Sequence, residues 1–178
     1  MRMSVISGAV AAACTAVLLF GCSSSYSWRS TVPVEVRTVA VPTFRNETNV
    51  TEAGPIASRQ LLREIQREGT FAIRSQGNAA IEIQGVVKKA AGGVTGYDRR
   101  HGLRISAYEL KVTCLITVVD KRRGALLLEN VPFEGETTFT SGQDVSNAQR
   151  DAIGRALDDV ARKVVDRLLT LNYKVEEE

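Results

Sequence analysis

From Leu103 to Val119 the chain alternates with a period of two. Tyr108, Leu110, Val112, Cys114, Ile116 and Val118 fall on one side, and Glu109, Lys111, Thr113 and Thr117 on the other. Successive side chains of a strand point to opposite faces, so this stretch predicts a long strand with one buried and one polar face. At about 3.3 Å per residue its two ends lie roughly 50 Å apart. Such a strand needs neighbours and a layer to cover its apolar side. Leu115 and Val119 break the polar side, as a contact surface would.

The flanking sequence supplies both. Asp120-Lys121-Arg122-Arg123-Gly124 reads as a turn, and Ala125 to Thr140 returns with Val131, Phe133 and Phe139 against Glu134, Glu136 and Thr138. Ala80 to Lys89 alternates Ile81, Ile83 and Val87 with Glu82, Gln84 and Lys88. Val34 to Phe44 is expected as a first strand, and Phe71 to Arg74 as a short one at an edge or beside it. Between them Ala57, Leu61, Leu62 and Ile65 recur at helical spacing, with Pro55 placed to start the helix and Gly69 to stop it. A second helix opens with the capping-box pair Ser146 and Gln149 and carries the stripe Ile153, Ala156/Leu157, Val160, Val164, Leu168 and Leu171. The predicted fold is α+β: a two-layer sandwich of a mostly antiparallel four- to five-stranded sheet with two amphipathic helices on one face. Gly92, Gly93 and Gly96 fit no phosphate-binding spacing and are expected at a flexible hairpin tip.

The start of the chain sets the compartment. After Arg2, an apolar run from Val5 to Phe20 has the length of a signal-peptide core and falls short of the roughly 20 residues of a spanning helix. Leu19-Phe20-Gly21-Cys22 resembles a bacterial lipobox, with an uncleaved anchor as the alternative. The resemblance implies acylation of Cys22, and several lipid chains anchor durably because each buried methylene contributes about 0.8 kcal/mol. Ser23 is not the aspartate that resembles an inner-membrane retention signal, which favours the periplasmic side of the outer membrane. The expected organisation is a signal peptide over 1–21, an acylated tether over 22–33 carrying Tyr26 and Trp28, one domain over 34–173 and an acidic tail over 174–178.

Composition excludes several functions. The formal charge of +3 includes Arg2, so the remainder is near +2, too balanced for a generic nucleic-acid binder. Of three cysteines, Cys14 leaves with the leader and Cys22 carries lipid, so Cys114 has no intrachain partner. It alternates onto the apolar strand face as a core residue. The single histidine, His101, has no neighbouring ligand for a metal. Glu82, Glu109, Glu134 and Glu136 read as a solvated sheet face with lysine neighbours rather than an acid–base pair. No enzyme activity, metal or cofactor is expected. Asn46-Glu47-Thr48 and Asn49-Val50-Thr51 are sequons without consequence in a bacterial lipoprotein. Two basic clusters remain: Lys88, Lys89, Arg99, Arg100 and Arg104 at the hairpin tip, and Lys121, Arg122 and Arg123 at the opposite turn. Arginine-rich tips suit phosphate groups through bidentate hydrogen bonds; ordinary solvated turn charge is the alternative.

Val39-Ala40-Val41-Pro42-Thr43-Phe44-Arg45-Asn46-Glu47-Thr48, then an amphipathic helix, Gly69-Thr70-Phe71 and Ala79-Ala80-Ile81-Glu82-Ile83-Gln84-Gly85, resembles the LptE family of lipopolysaccharide-assembly lipoproteins. Ala80 and Tyr173 depart from that family, which often carries an aspartate and a terminal tryptophan there. The resemblance implies a lipid-anchored partner and plug of the LptD outer-membrane β-barrel that binds lipopolysaccharide, with Lys88, Lys89, Arg99, Arg100 and Arg104 as candidate contacts. The same order of elements also resembles the CsgG/LpoB type of periplasmic lipoprotein, which would imply a secretion component or a cell-wall synthase activator. The short tether and the lack of further membrane-inserting hairpins favour the first.

Overall fold

The computed structural model describes residues 32–98, 104–140, 145–171 and 173. The lipobox, Tyr26, Trp28, Arg99, Arg100, His101 and the acidic tail therefore lie outside the described residues. The strands are β1 (Thr38–Ala40), β2 (Arg45–Asn46), β3 (Ala72–Ile73), β4 (Ile81–Asp98), β5 (Arg104–Asp120) and β6 (Ala125–Phe139), and the helices are α1 (Ala53–Glu68) and α2 (Val145–Thr170). The strands form one six-stranded sheet in the order β3-β1-β4-β5-β6, with β2 also on β4. The long hairpin β4–β5 and its continuation β5–β6 are antiparallel. By contrast β1 runs parallel to β3 and β4, and β2 parallel to β4. The sheet thus has six strands and is mixed: its long ladders are antiparallel as expected, and the short parallel pairings arise because the chain crosses back through α1 between β2 and β3.

The alternation in β5 is realised in full: Leu110, Val112, Cys114, Ile116 and Val118 are completely buried. Against them lie Ala57, Leu61 and Ile65 of α1 and Ile153, Ala156, Leu157, Val160, Val164 and Leu168 of α2, one continuous core. Burial of this kind is the main favourable term in the fold, at roughly 25 cal/mol per Å² of apolar surface. Gly69 ends α1 in the left-handed conformation, its N–H bonded to the Ile65 carbonyl, as its lack of a Cβ allows. α2 begins at Val145, so Ser146 lies inside the first turn rather than capping it.

Two other expectations are corrected. Val34 to Phe44 is a 3-10 turn at Val34–Val36, three residues of β1 and an irregular link to β2. Pro33 precedes this stretch and Pro42 interrupts it, and each fixes φ and removes an N–H from any ladder. Gly92, Gly93 and Gly96 sit inside β4, paired with Leu110, Glu109 and Ala107, not in a loose tip. The hairpin's reach therefore exceeds what its apolar pattern advertises.

Phe44 locks the irregular link to both layers. Its N–H donates to Ser58 Oγ at 2.7 Å, and that hydroxyl donates to the Gly54 carbonyl at 3.1 Å. The ring lies directly on Gly85, where any Cβ would strike it, and the Phe44 carbonyl leaves no room for a Cβ at Gly54. The following Asn46 closes the loop: Nδ2 donates to the Val50 carbonyl at 2.6 Å, and Oδ1 accepts from Thr48 N–H at 3.0 Å and Thr48 Oγ1 at 2.8 Å. The Asn-x-Thr pattern is a side-chain-mimicked turn.

Candidate functional site

Both helices pack on one face of the sheet, so the odd-numbered residues of β5 and their partners form the other. The register lays this open face out in rows. Glu82, Val119 and Leu126 form the lowest row. Next come Gln84 and Thr117, whose hydroxyl accepts Asn130 N–H at 3.2 Å. Val86, Leu115 and Pro132 make an apolar row across the middle. Above it lie Lys89-Thr113-Glu134, Ala91-Lys111-Glu136 and Gly93-Glu109-Thr138. The face is polar with an apolar belt; Leu115 and Val119 are half-buried within it.

Its charges are largely satisfied in place. Lys111 Nζ sits 2.5 Å from Glu136 and 3.9 Å from Glu134, and the hydrogen bond to Glu136 raises its pKa. Glu47, outside the sheet, reaches Lys88 at 2.6 Å, which holds the Glu47 carboxyl below its usual range. Exposed pairs like these contribute little to stability. Glu82 differs. It is 7% exposed, not solvated as its alternation suggests, because the Gln76 segment and Lys121 close over it. Gln84 donates to Glu82 at 2.8 Å and Lys121 at 2.9 Å, and together they lower its pKa despite burial.

The two basic clusters fare differently from the expectation. Lys88 and Lys89 stand beside Cys114 and Thr113 at a bulge in mid-strand. Arg104 starts β5 opposite Asp98, at the far end of the hairpin. The nine residues from Lys89 to Asp98 separate them by roughly 30 Å at 3.3 Å per residue, so the five residues are not one cluster. The opposite turn is structural: Lys121 holds Glu82, and Arg122 donates to the Glu35 carbonyl at 3.1 Å.

The chain enters the domain at this same lower end. Val32 is buried, and its carbonyl accepts from Arg37 Nε at 3.0 Å and Nη2 at 2.9 Å. Pro33, Val36, Asp120, Arg122 and Tyr173 line a cleft beside it. Tyr173 O–H donates to the Leu168 carbonyl at 2.8 Å, and burial pushes its phenol up. At the upper end Tyr108 stacks on Phe139 with centroids 5.2 Å apart. β6 stops there, so the last pairs of β4–β5 continue as a two-stranded ribbon. Val32 thus lies at one end of a long hairpin and Arg104 at the other.

Among the described residues no three His, Cys, Asp or Glu side chains converge to hold a metal. Cys114 is buried, and desolvation pushes its thiol up to about 12. No described helix is long and apolar enough to cross a membrane. Sequence reasoning missed Glu47 as the partner of Lys88, and Val86 and Pro132 as the flanks of Leu115. Val86 follows Gly85 out of register with the apolar set, and that is the only signal it gave.

A family profile described as LptE, lipopolysaccharide assembly, matches residues 36–168. The chain belongs to the LptE family. The match runs from Val36, before β1, to Leu168, the last fully buried residue of α2, and so takes in both layers. Several solved structures resemble this LptE-family domain. A hypothetical protein from Chlamydia trachomatis is 10% identical, with 75% of this chain and 96% of that one covered at a TM-score of 0.53. A protein from Xanthomonas campestris is 12% identical, with 75% and 83% covered at 0.52. A minor lipoprotein from Acinetobacter baumannii is 11% identical, with 77% and 93% covered at 0.46. At these identities the first two show the shared fold alone. No curated protein matches the chain by sequence.

Proposed function

We propose that this LptE-family chain is an outer-membrane lipoprotein, acylated at Cys22, that partners an LptD-like β-barrel, occupies it as a plug and assists lipopolysaccharide assembly. The observation that carries this reading is the family match across the whole two-layer domain. The open face supports it: a barrel lumen is polar and aqueous, and a face of paired charges with one apolar belt can lie against such a wall. Geometry supports it too. The tether from Cys22 to Val32 reaches at most about 35 Å, so the lower end stays near the leaflet. A hairpin of roughly 50 Å then exceeds the barrel's apolar band of about 25 Å, so its tip can reach lipopolysaccharide in transit. Arg99 and Arg100, which follow β4 in the sequence, and Arg104, which starts β5, bind lipid phosphates bidentately, and Lys88 and Lys89 add charge lower on β4.

Affinity purification of the acylated chain from outer membranes tests the partnership. The reading requires a large β-barrel at near-equal stoichiometry, together with lipopolysaccharide. Recovery of a peptidoglycan synthase, or of a homo-oligomer without a barrel, would overturn it.

A further inference from the structure

The sheet's two long edges are treated in opposite ways. On β6, Glu134 and Glu136 turn their main-chain groups outward. Lys163 Nζ donates to the Glu134 carbonyl at 2.7 Å, and the Asp159 carboxylate accepts the Glu136 N–H. Asp159 and Lys163 are themselves paired at 2.8 Å, so one turn of α2 caps this edge. Pro132 offers no N–H, and Asn130 bulges out at φ 47°. These are the devices by which proteins block strand addition.

Between its irregularities at Lys88 and at Thr95, the upper half of β4 has no proline, no bulge and no helix side chain on its outer edge among the described residues. β2 covers Val86 and Val87, and the pairing ends where Glu47 N–H donates to the Val87 carbonyl at 2.9 Å. The register fixes which main-chain groups beyond that point turn outward. Glu134 and Glu136 face out, so Gly135 between them faces β5 and bonds Val112. Val112 therefore faces β6, and Ala90 opposite it turns its N–H and C=O away from the sheet. Gly92 and Val94, opposite Leu110 and Tyr108, do the same. Among the described residues nothing receives these groups. From Lys89 to Tyr97 there is no proline and no carboxylate. Gly92 and Gly93 are exposed, and a Cβ at Gly93 would meet nothing within 4 Å. Glycine inside a strand often marks the close approach of another backbone.

We infer that the outer edge of β4 from Lys89 to Val94 is a docking edge for an extended segment of another protein, held by main-chain pairing to Ala90, Gly92 and Val94. The segment's bulky apolar side chains cover Ala90 and Gly92 and bury Val94, which is 40% exposed. A carboxylate on it meets Lys89, which is exposed and has no ion pair among the described residues. A second copy of this chain fits poorly. Two-fold pairing about Gly92 sets Asp98 of each copy against Val86 of the other, an edge position that β2 already covers. The inference holds whether or not the partner is a barrel.

The test places photoreactive benzoylphenylalanine at Val94 of the full acylated chain in its membrane, with Thr138 on β6 as the control position. The expected result is one dominant protein adduct from position 94, with attachment sites on alternate residues of a single partner segment. Gly92→Pro removes an N–H that the fold does not use and should lower the yield at least tenfold at an unchanged melting temperature. Ala90→Lys, which puts a charge on the edge, should act likewise and serves if the proline variant misfolds. An adduct of two copies, a lipid adduct, a yield no higher than at Thr138, or a yield unchanged in both variants would overturn the inference.

Discussion

Gly135→Ala should be the most damaging single methyl group that can be added to this sheet. Gly135 is buried on the helix-facing side of β6. A Cβ there would run into the Ala156 carbonyl oxygen, with Val160 Cγ2 at 2.8 Å and the Ala156 carbonyl carbon at 3.0 Å. The obstacle is helix backbone, which no rotamer change relieves. α2 must move off β6, loosening the contacts of Ala156 and Val160 with the sheet. Overpacking of this kind costs about 3 kcal/mol, or roughly 8 °C in melting temperature for a domain of this size. Gly93→Ala is the internal control. Its Cβ enters open space, and replacing a mid-strand glycine should stabilise by about 0.5 kcal/mol. Thermal unfolding of both variants by circular dichroism, in a soluble form lacking the acylated cysteine, makes the comparison. A Gly135→Ala protein melting within 2 °C or so of the parent would refute the close helix–sheet approach.

Other expectations concern single groups. Ser58→Ala leaves the buried Phe44 N–H without its acceptor and should cost about 2 kcal/mol by denaturant unfolding. Glu82 has a depressed folded pKa, so its contribution is complete above its unfolded value near ~4.3 and is lost as pH falls through the lower folded value. Glu82→Gln should accordingly flatten the acid limb of stability below about pH 4, and an unchanged acid limb would remove Glu82 from it. The Cys114 thiol should resist maleimide in the native protein and react on unfolding; rapid native labelling would contradict its burial. Charge reversal of Arg99 and Arg100 should weaken lipopolysaccharide binding at an unchanged melting temperature, and unaltered affinity would take both residues out of the site.

The parts of the fold that each carry their own pattern were legible. β5 announces itself by alternation and α2 by its stripe, and Gly69 stops α1 because a left-handed residue is needed there. What stayed hidden depends on neighbours. β1 is three residues long and parallel, held by β3 and β4 rather than by any periodicity of its own. The upper half of β4 is written in alanine and glycine, which carry no apolar alternation, so its pairing with β5 is visible only from the β5 side. That silence displaced the basic cluster: Lys88 and Lys89 belong to mid-strand, and Arg104 to the far end of the hairpin. The open face was expected to be polar, and it is, but its apolar belt joins Val86, Leu115 and Pro132 from three strands. No single segment shows that row.

Depletion of the chain in living cells, followed by the fraction of newly made lipopolysaccharide that reaches the cell surface, tests the assembly role most directly. Surface delivery should fall while lipopolysaccharide accumulates inside the envelope, and the intact chain should restore it where a Cys22→Ala form does not. Undiminished delivery in depleted cells would contradict the account.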